Sequence, residues 1–385
     1  MNVLVLNCGS SSIKSQIIET SSAAVLSKVT IERVGRPDAI LTAFDTEGRR
    51  TRRTLPVKDF EVGLDAALAA HCGDLCDIQA VGHRVVHGGE RFTEAALMTP
   101  EVVHAIEDLI GLAPLHNPHN LRGFYAASRI MPHARHVAVF DTAFHHTLPP
   151  KAFLYGLPYA YYTRDKIRRY GFHGISHRYV SKRCGAAKVI TCHLGNGASI
   201  CAVADGVSVD TSMGFTPLEG LLMGTRSGDL DPSVVLALLS QEDATTQSVE
   251  NVLNKQSGLL GISGLSQDMR MLLDARANDS SRAALAIEVF TYRIRKYIGA
   301  YWAVLNGADA VVFTGGIGEN AAAIRAEACA GLEAFGIEID PLQNEATIGT
   351  EATIHRGRIP VHVIPANEEL LIAQDTEQCL ASLVH

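Results

Sequence analysis

The chain has 385 residues, 47% hydrophobic and 19% charged, with a formal net charge of -7. That composition describes a globular protein long enough for two domains. It excludes a dedicated nucleic-acid binder, which carries a basic excess, and no uncharged apolar run reaches the roughly 20 residues that cross a bilayer. The eight cysteines are scattered; Cys72 and Cys76 form a close pair, but no second pair matches them for zinc, so a reducing, cytoplasmic setting is expected.

Met1–Ile18 reads as a hairpin: Val3–Leu6 is apolar, Asn7–Ser12 is a small polar turn, and Ile13–Ile18 alternates. No basic segment precedes it, so no secretory leader is expected. Short strands follow between Val25 and Leu55, with a turn at Asp45–Gly48. Arg49, Arg50, Arg52 and Arg53 read as a solvated loop rather than a binding tract. Phe60–Ala70 has helical spacing, and Val81–Val86 is a strand reaching Gly88 and Gly89. Arg84 inside that strand is costly unless it meets an anion, and a guanidinium grips a carboxylate or phosphate through two parallel hydrogen bonds. His83 and His87 lack a third ligand for a metal and read as structural.

Pro100–Leu112 is helical, Pro114 and Pro118 stiffen the next turn, and a helix runs from about Asn120 to Ile130. His136–Phe140 is a buried strand that delivers Asp141 to its carboxyl end, where open α/β sheets place functional groups; a capping role for Asp141 is equally open. Pro149-Pro150 mark a change of domain. Gly171 and Gly174 flank His173 and leave room for a ligand, and His177–Cys184 is helical. Val189–Val203 holds two β-branched runs around Gly195-Asn196-Gly197. Alone, this is a plain surface hairpin; its glycines would also let successive N–H groups converge on an anion. Its likeness to the first hairpin suggests duplicated halves.

Asp210–Asp231 is a long loop rich in Gly, Ser and Thr, and its length suggests function. Its Arg226 is a second guanidinium to set opposite Arg84. Helical patterns cover Pro232–Asn251 and Arg282–Asn306, and Ser263–Arg270 leads into another helix. Ala310–Thr314 is a strand whose following glycines feed a helix N-terminus, a seat for a nucleotide. Val361–Ile364 leads to Asn367-Glu368-Glu369 and a closing helix. No P-loop, Gly-x-Ser-x-Gly elbow or His-Glu-x-x-His motif occurs. Gly316–Ala321 matches a dinucleotide fingerprint weakly and leaves that site open. Phosphate-cradling turns, two isolated arginines and a strand-end Asp suit phosphoryl transfer.

The segments Asn7–Lys14, His83–Gly89, Phe140–His145, Gly171–Gly174, His193–Gly197, Met223–Arg226, Gly316–Asn320 and Asn367–Glu369, in this order, resemble the acetokinase family of short-chain carboxylate kinases. The resemblance implies an α/β fold of two duplicated domains of the acetate and sugar kinase/Hsp70/actin superfold around a nucleotide-binding cleft. Residues 1–148, completed by the helix 367–385, form the acyl-substrate side, and 149–366 the nucleotide-binding domain. The implied reaction is reversible, Mg²⁺-dependent phosphoryl transfer from ATP to acetate, giving acetyl phosphate and ADP by direct in-line transfer, with Mn²⁺ able to replace Mg²⁺.

The resemblance also implies roles. Asn7 and Glu368 hold the metal. Lys14, His193, Leu194, Gly195, Asn196 and Gly197 contact ATP phosphates. Asp268, Met269 and Arg270, with Gly316, Ile317, Gly318, Glu319 and Asn320, bind adenosine. Arg84 grips the acyl substrate, and Val86, Leu115, Phe172 and Pro217 surround its methyl group. Arg226 and His173 stabilise the transferring phosphoryl, Asp141 is the acid/base or orienting carboxylate, and His116 is a further catalytic candidate. Cys8 stands where many relatives have Ala, Ser227 where some have Cys, and Met269 where Phe is commoner; none removes a charge or a catalytic donor. One methylene changes binding by only about 1–3 kcal/mol, so propionate kinase is the alternative within the family. A non-catalytic ATP-binding sensor is the alternative outside it, opposed by the presence of Arg84, Asp141 and Arg226. A homodimer is expected, with no nucleic acid or membrane partner.

Overall fold

The computed structural model describes every residue except 10, 46, 72–76, 115 and 384–385; the readings on Cys72, Cys76 and Leu115 lie outside the described residues. The chain divides into two compact units, Met1–Phe144 with Asn367–His385, and His145–Ala366.

The first unit holds β1 (Asn2–Cys8), β2 (Ser12–Glu19), β3 (Ala24–Glu32), β4 (Arg36–Phe44), β5 (Arg50–Val57), β6 (Ala80–Val85), β7 (Ala96–Leu97) and β8 (Arg135–Phe140), in the order β5-β4-β3-β2-β1-β6-β8-β7. β1 and β2 form the expected hairpin, Cys8 opposite Ile13. β6 runs parallel to β1, and β8 parallel to β6. Val3, Leu4, Val5 and Leu6 are all buried because the sheet is covered on both faces, which is why β1 reads as a continuous apolar run rather than an alternating one. On one face, Gly123 of helix Asn117–Ile130 approaches Cys8 so closely that an added Cβ would lie 2.6 Å from the sulfur. On the other, a Cβ on Gly82 would lie 2.5 Å from Thr376 Oγ1 of helix Glu368–Ser382. In the parallel register Val5 faces Gly82. Side chains alternate along a strand, so Asn7 and Arg84 share the face that carries this last helix.

The second unit holds β9 (Lys188–Leu194), β10 (Ala198–Ala204), β11 (Val207–Thr211), β12 (Ala310–Thr314), β13 (Ala352–Thr353) and β14 (Val361–Val363), in the order β11-β10-β9-β12-β14-β13. This repeats β3-β2-β1-β6-β8-β7: an antiparallel hairpin, two parallel strands, then a two-residue antiparallel edge strand. The duplication suggested by the two hairpins thus extends to whole sheets, and β4 and β5 are an addition to the first. Helix Ser281–Leu305 starts on a Ser280 cap and ends at Asn306 in the left-handed region, φ 50°, a conformation Asn tolerates.

Four local expectations are corrected. Arg50–Arg53 is edge strand β5, not loop; its exposed arginines discourage edge-to-edge pairing with another chain. The helix placed from Asn120 begins at Asn117, because Pro118 suits a first turn, where no N–H partner is required. The helix from Pro100 ends at Asp108 and tightens into a 3₁₀ turn, Leu109–Gly111. Pro232–Asn251 is two helices, Pro232–Leu239 and Thr246–Asn251, separated at Asp243 (φ 62°) and restarted by a Thr245–Ser248 capping box.

Candidate active site

In the first unit the carboxyl ends of β1, β6 and β8 bring three polar groups together. Arg84 donates from Nε to Asp141 Oδ1 at 3.0 Å and from Nη2 to Oδ2 at 2.5 Å, and from Nη1 to Asn7 Oδ1 at 3.1 Å. Glu368 opens the last helix with Oε2 4.0 Å from Arg84 Nε. Burial alone would weaken the hold of Arg84 on its proton; Asp141, then Glu368 and Glu369, outweigh it and raise the pKa above the usual arginine value. Three of the five guanidinium N–H groups are engaged by these bonds, which leaves one on each terminal nitrogen, the spacing that suits a carboxylate. Lys14 is the cross-strand partner of Asn7, so it stands on the same face, exposed.

The strand ends are held by two asparagines three residues apart on one helix face. Asn120 accepts from Val86 N at 3.1 Å and donates to Cys8 O at 2.9 Å, tying β1 to β6. Asn117 exchanges two bonds with the His87 backbone. Thr142 Oγ1 accepts from Gly88 N. Val86 is buried beneath this lattice. His83 and His87 are both buried: His83 pairs with His136 at 2.9 Å, and burial pushes the pKa of His87 down to about 4. His116 is the residue preceding the helix.

In the second unit the Gly195–Gly197 turn joins β9 to β10, closed by Gly195 N donating to Gly197 O at 3.0 Å. A Cβ on Gly197 would lie 3.4 Å from His173 Nε2 and 3.6 Å from Arg226 Nη1, so imidazole and guanidinium converge over this turn. His173 sits in the left-handed region (φ 56°) at the entry of helix Gly174–Cys184, its ring stacked 4.3 Å from that of His193. His193 Nδ1 is 2.7 Å from Ser176 Oγ. Leu194 is buried at the end of β9. Arg226 donates to Pro217 O at 3.2 Å and approaches the Met223 sulfur; among the described residues it has no carboxylate partner, and burial lowers its pKa. A largely desolvated cation without an anion is unfavourable unless a ligand supplies one.

The loop carrying Arg226 is wired in place. Arg169 donates to the carbonyls of Thr211, Ser212 and Met213 and pairs with Glu219 at 2.5 Å. Gly224 N donates to Asn196 O, and a Cβ there would lie 1.8 Å from Asn196 Oδ1. Phe172 is buried, its carbonyl accepting from His145.

The segments read as adenosine contacts are partly structural. Asp268 caps helix Met269–Ala277 and pairs with exposed Arg270, and Met269 is buried. Helix Gly315–Asn320 follows β12. Glu319 Oε1 accepts from Gly315 N and Ala366 N, so this carboxylate closes the turn. Fully buried Arg325 donates to the carbonyls of Gly318 and Glu319 and ties them to Asn344 and Thr347. Gly316 and Asn320 remain exposed, with open space over the Gly316 Cα, and Ile317 is half-buried.

Residues 2–374 match the model of the acetokinase family. The chain is 50% identical over 401 residues to an acetate kinase of Thermoanaerobacterium thermosaccharolyticum, covering all of both. A crystal structure of Porphyromonas gingivalis acetate kinase matches with a TM-score of 0.92 at 42% identity, covering 98% of this chain and 99% of that one. A propionate kinase from Francisella tularensis subsp. tularensis matches at 0.91 and 40%, with the same coverage. Fold and likeness define a phosphotransferase with a carboxyl group as acceptor. The chain belongs to the acetokinase family, which uses ATP and ADP.

Proposed function

We propose that the chain transfers the γ-phosphoryl group of ATP to acetate, reversibly, giving acetyl phosphate and ADP. A carboxylate oxygen forms the new P–O bond as the β,γ-bridging P–O bond breaks, in line. The observation that carries this reading is Arg226, a cation without a carboxylate partner among the described residues, held beside His173 over the Gly195–Gly197 turn. Such donors suit the equatorial oxygens of a transferring phosphoryl group, whose charge is spread. Arg84 holds the acetate carboxylate through the remaining N–H of each terminal nitrogen. Asp141 accepts from Arg84 on both oxygens, which favours the orienting role over acid/base work. Lys14, His193 and Leu194 serve the phosphates with Gly195, Asn196 and Gly197. Asp268–Arg270 and Gly316–Asn320 serve adenosine, Glu319 by shaping the turn.

The oxygen donors Asn7 and Glu368 fit Mg²⁺ or Mn²⁺, hard cations that take few protein oxygens and fill their shell with water and phosphate. Bound there, the metal supplies charge neutralisation on the phosphates. Val86, Phe172 and Pro217 supply apolar surface to the acyl group, with Leu115 expected to join them. A homodimer and a cytoplasmic location belong to the same reading. Helix Pro232–Leu239 buries none of its residues yet shows Val234, Leu236 and Leu239 to solvent, as a face covered by a second copy would. The six described cysteines are free thiols, which suits a reducing compartment.

The test is kcat/KM for acetate, propionate and butyrate with Mg·ATP, the acyl phosphate trapped with hydroxylamine. Preference for acetate supports the proposal. Preference for propionate keeps the mechanism and moves the substrate; no turnover with any of the three overturns it.

A further inference from the structure

Behind the Gly195–Gly197 turn runs an unbroken line of buried hydrogen-bonding groups. The Thr191 hydroxyl reaches the Cys201 carbonyl at 3.4 Å and His177 Nδ1 at 2.7 Å. His177 Nε2 is 2.8 Å from Ser199 Oγ, and Ser199 Oγ is 2.9 Å from His173 Nδ1. Thr191, His177 and Ser199 are all 0% exposed, so each proton must be placed within the line itself.

A carbonyl only accepts, and this polarises the line. Of the two polarities open to the line, only one keeps both Thr191 contacts: the Thr191 proton goes to Cys201 O, His177 donates from Nδ1, and Nε2 of His177 has a lone pair. Ser199 then donates to His177, and His173 must donate from Nδ1 to Ser199. Burial holds the pKa of His177 far below the ordinary value, with His145 and His193 adding to the effect, so it stays neutral. In neutral His173 the proton therefore sits on Nδ1, and the atom beside Arg226 over Gly197, Nε2, is a bare lone pair that would repel a phosphoryl oxygen.

We infer that Thr191, His177 and Ser199 are positioning residues that fix the tautomer of His173, so that it meets the phosphoryl group as the doubly protonated imidazolium. Nδ1–H is retained by Ser199 and Nε2–H is offered to phosphoryl oxygen. This rests on the phosphoryl-contacting role proposed for His173. Among the described contacts, the His173 ring meets His193 from β9, stacked on it, Arg226 from the wired loop, and His177 through Ser199. Arg226 opposes protonation of His173; a phosphate dianion favours it. Activity therefore requires the proton and is lost on the alkaline side.

Thr191→Val keeps the shape and removes the hydroxyl. His177 Nδ1 then has no acceptor, the line reverses, and neutral His173 presents Nε2–H. The alkaline limb of the kcat profile should move up by about one pH unit or more, while Thr191→Ser restores the original limb. Imidazole ¹⁵N shifts of labelled enzyme, with His173 assigned by its loss in His173→Gln, read the tautomer independently of activity. Nδ1–H in the wild type and Nε2–H in Thr191→Val is the expected pair. Nε2–H in the wild type, or an alkaline limb unmoved by Thr191→Val, overturns the inference. A His173→Gln enzyme with unchanged kcat overturns the role of His173 instead.

Discussion

Replacing Arg84 by Met keeps most of its volume and removes both bonds to Asp141, which is 1% exposed. Hydrogen bonds to charged groups contribute about 1.5–3 kcal/mol each, and breaking a buried ion pair from one side costs about 3–5 kcal/mol, because the remaining charge is orphaned. Urea unfolding at pH 7.5 should therefore show Arg84→Met less stable by about 3–5 kcal/mol. Asp141→Asn should also destabilise, leaving a guanidinium still close to Glu368. The double variant has no orphaned charge, so its loss should be smaller than the sum by about 2 kcal/mol or more, within the range of couplings measured for contacting residues. On the proposed role of Arg84, the kcat/KM for acetate should fall in all three and should not return in the double variant, because the fork proposed for the substrate carboxylate is still missing. Additive stabilities would show that the pair is not coupled. Activity regained in the double variant would show that Arg84 serves only as the partner of Asp141.

Gly224→Ala drives a Cβ into Asn196 Oδ1 and should raise KM for ATP about tenfold, equivalent to about 1.4 kcal/mol, with an unchanged circular dichroism spectrum; an unchanged KM would show that the turn does not bind phosphate. Burial keeps His71, His87 and His145 neutral, each with its pKa pushed down to about 4, and holds His83 and His177 well below 6.5. The unfolded chain binds these protons first, so stability is full above pH 6.5 and falls as pH drops from 6.5 toward 4, by about 1.4 kcal/mol per pH unit for each such histidine. A urea midpoint that stays flat between pH 7 and 5 refutes this. The proposed homodimer through the exposed apolar helix predicts that Leu236→Glu halves the mass measured by light scattering; a dimer mass unchanged by the substitution would refute this interface, and a monomer mass for the unaltered chain would refute the dimer.

Both hairpins, the strand before Asp141 and the long helix Ser281–Leu305 were legible because their signals are local: alternation, glycine turns and caps within a few residues. The family was legible because eight short motifs keep their order. Less was legible where one residue is used twice. Glu319 reads as an adenosine contact yet spends an oxygen on Gly315 and Ala366. Asn117 read as a turn residue and Asn120 as a helix start, yet both pin strand ends, and Arg50–Arg53 read as loop because an edge strand with polar faces lacks the apolar alternation that marks a half-buried one.

Residue order determined the elements, their approximate bounds and the inventory of charged groups, since those follow from side-chain periodicity and backbone preference over a handful of positions. Tertiary structure decided which groups meet. Arg84 finds Asp141 because β6 and β8 are parallel neighbours in one register; a shift of one residue would turn Arg84 to the opposite face. The line from Thr191 to His173 exists only because β9, β10 and the helix after His173 bring residues 14 to 26 positions apart within hydrogen-bonding distance. Register and packing are global properties, settled by burying both faces of a sheet at once, and no window of sequence contains them.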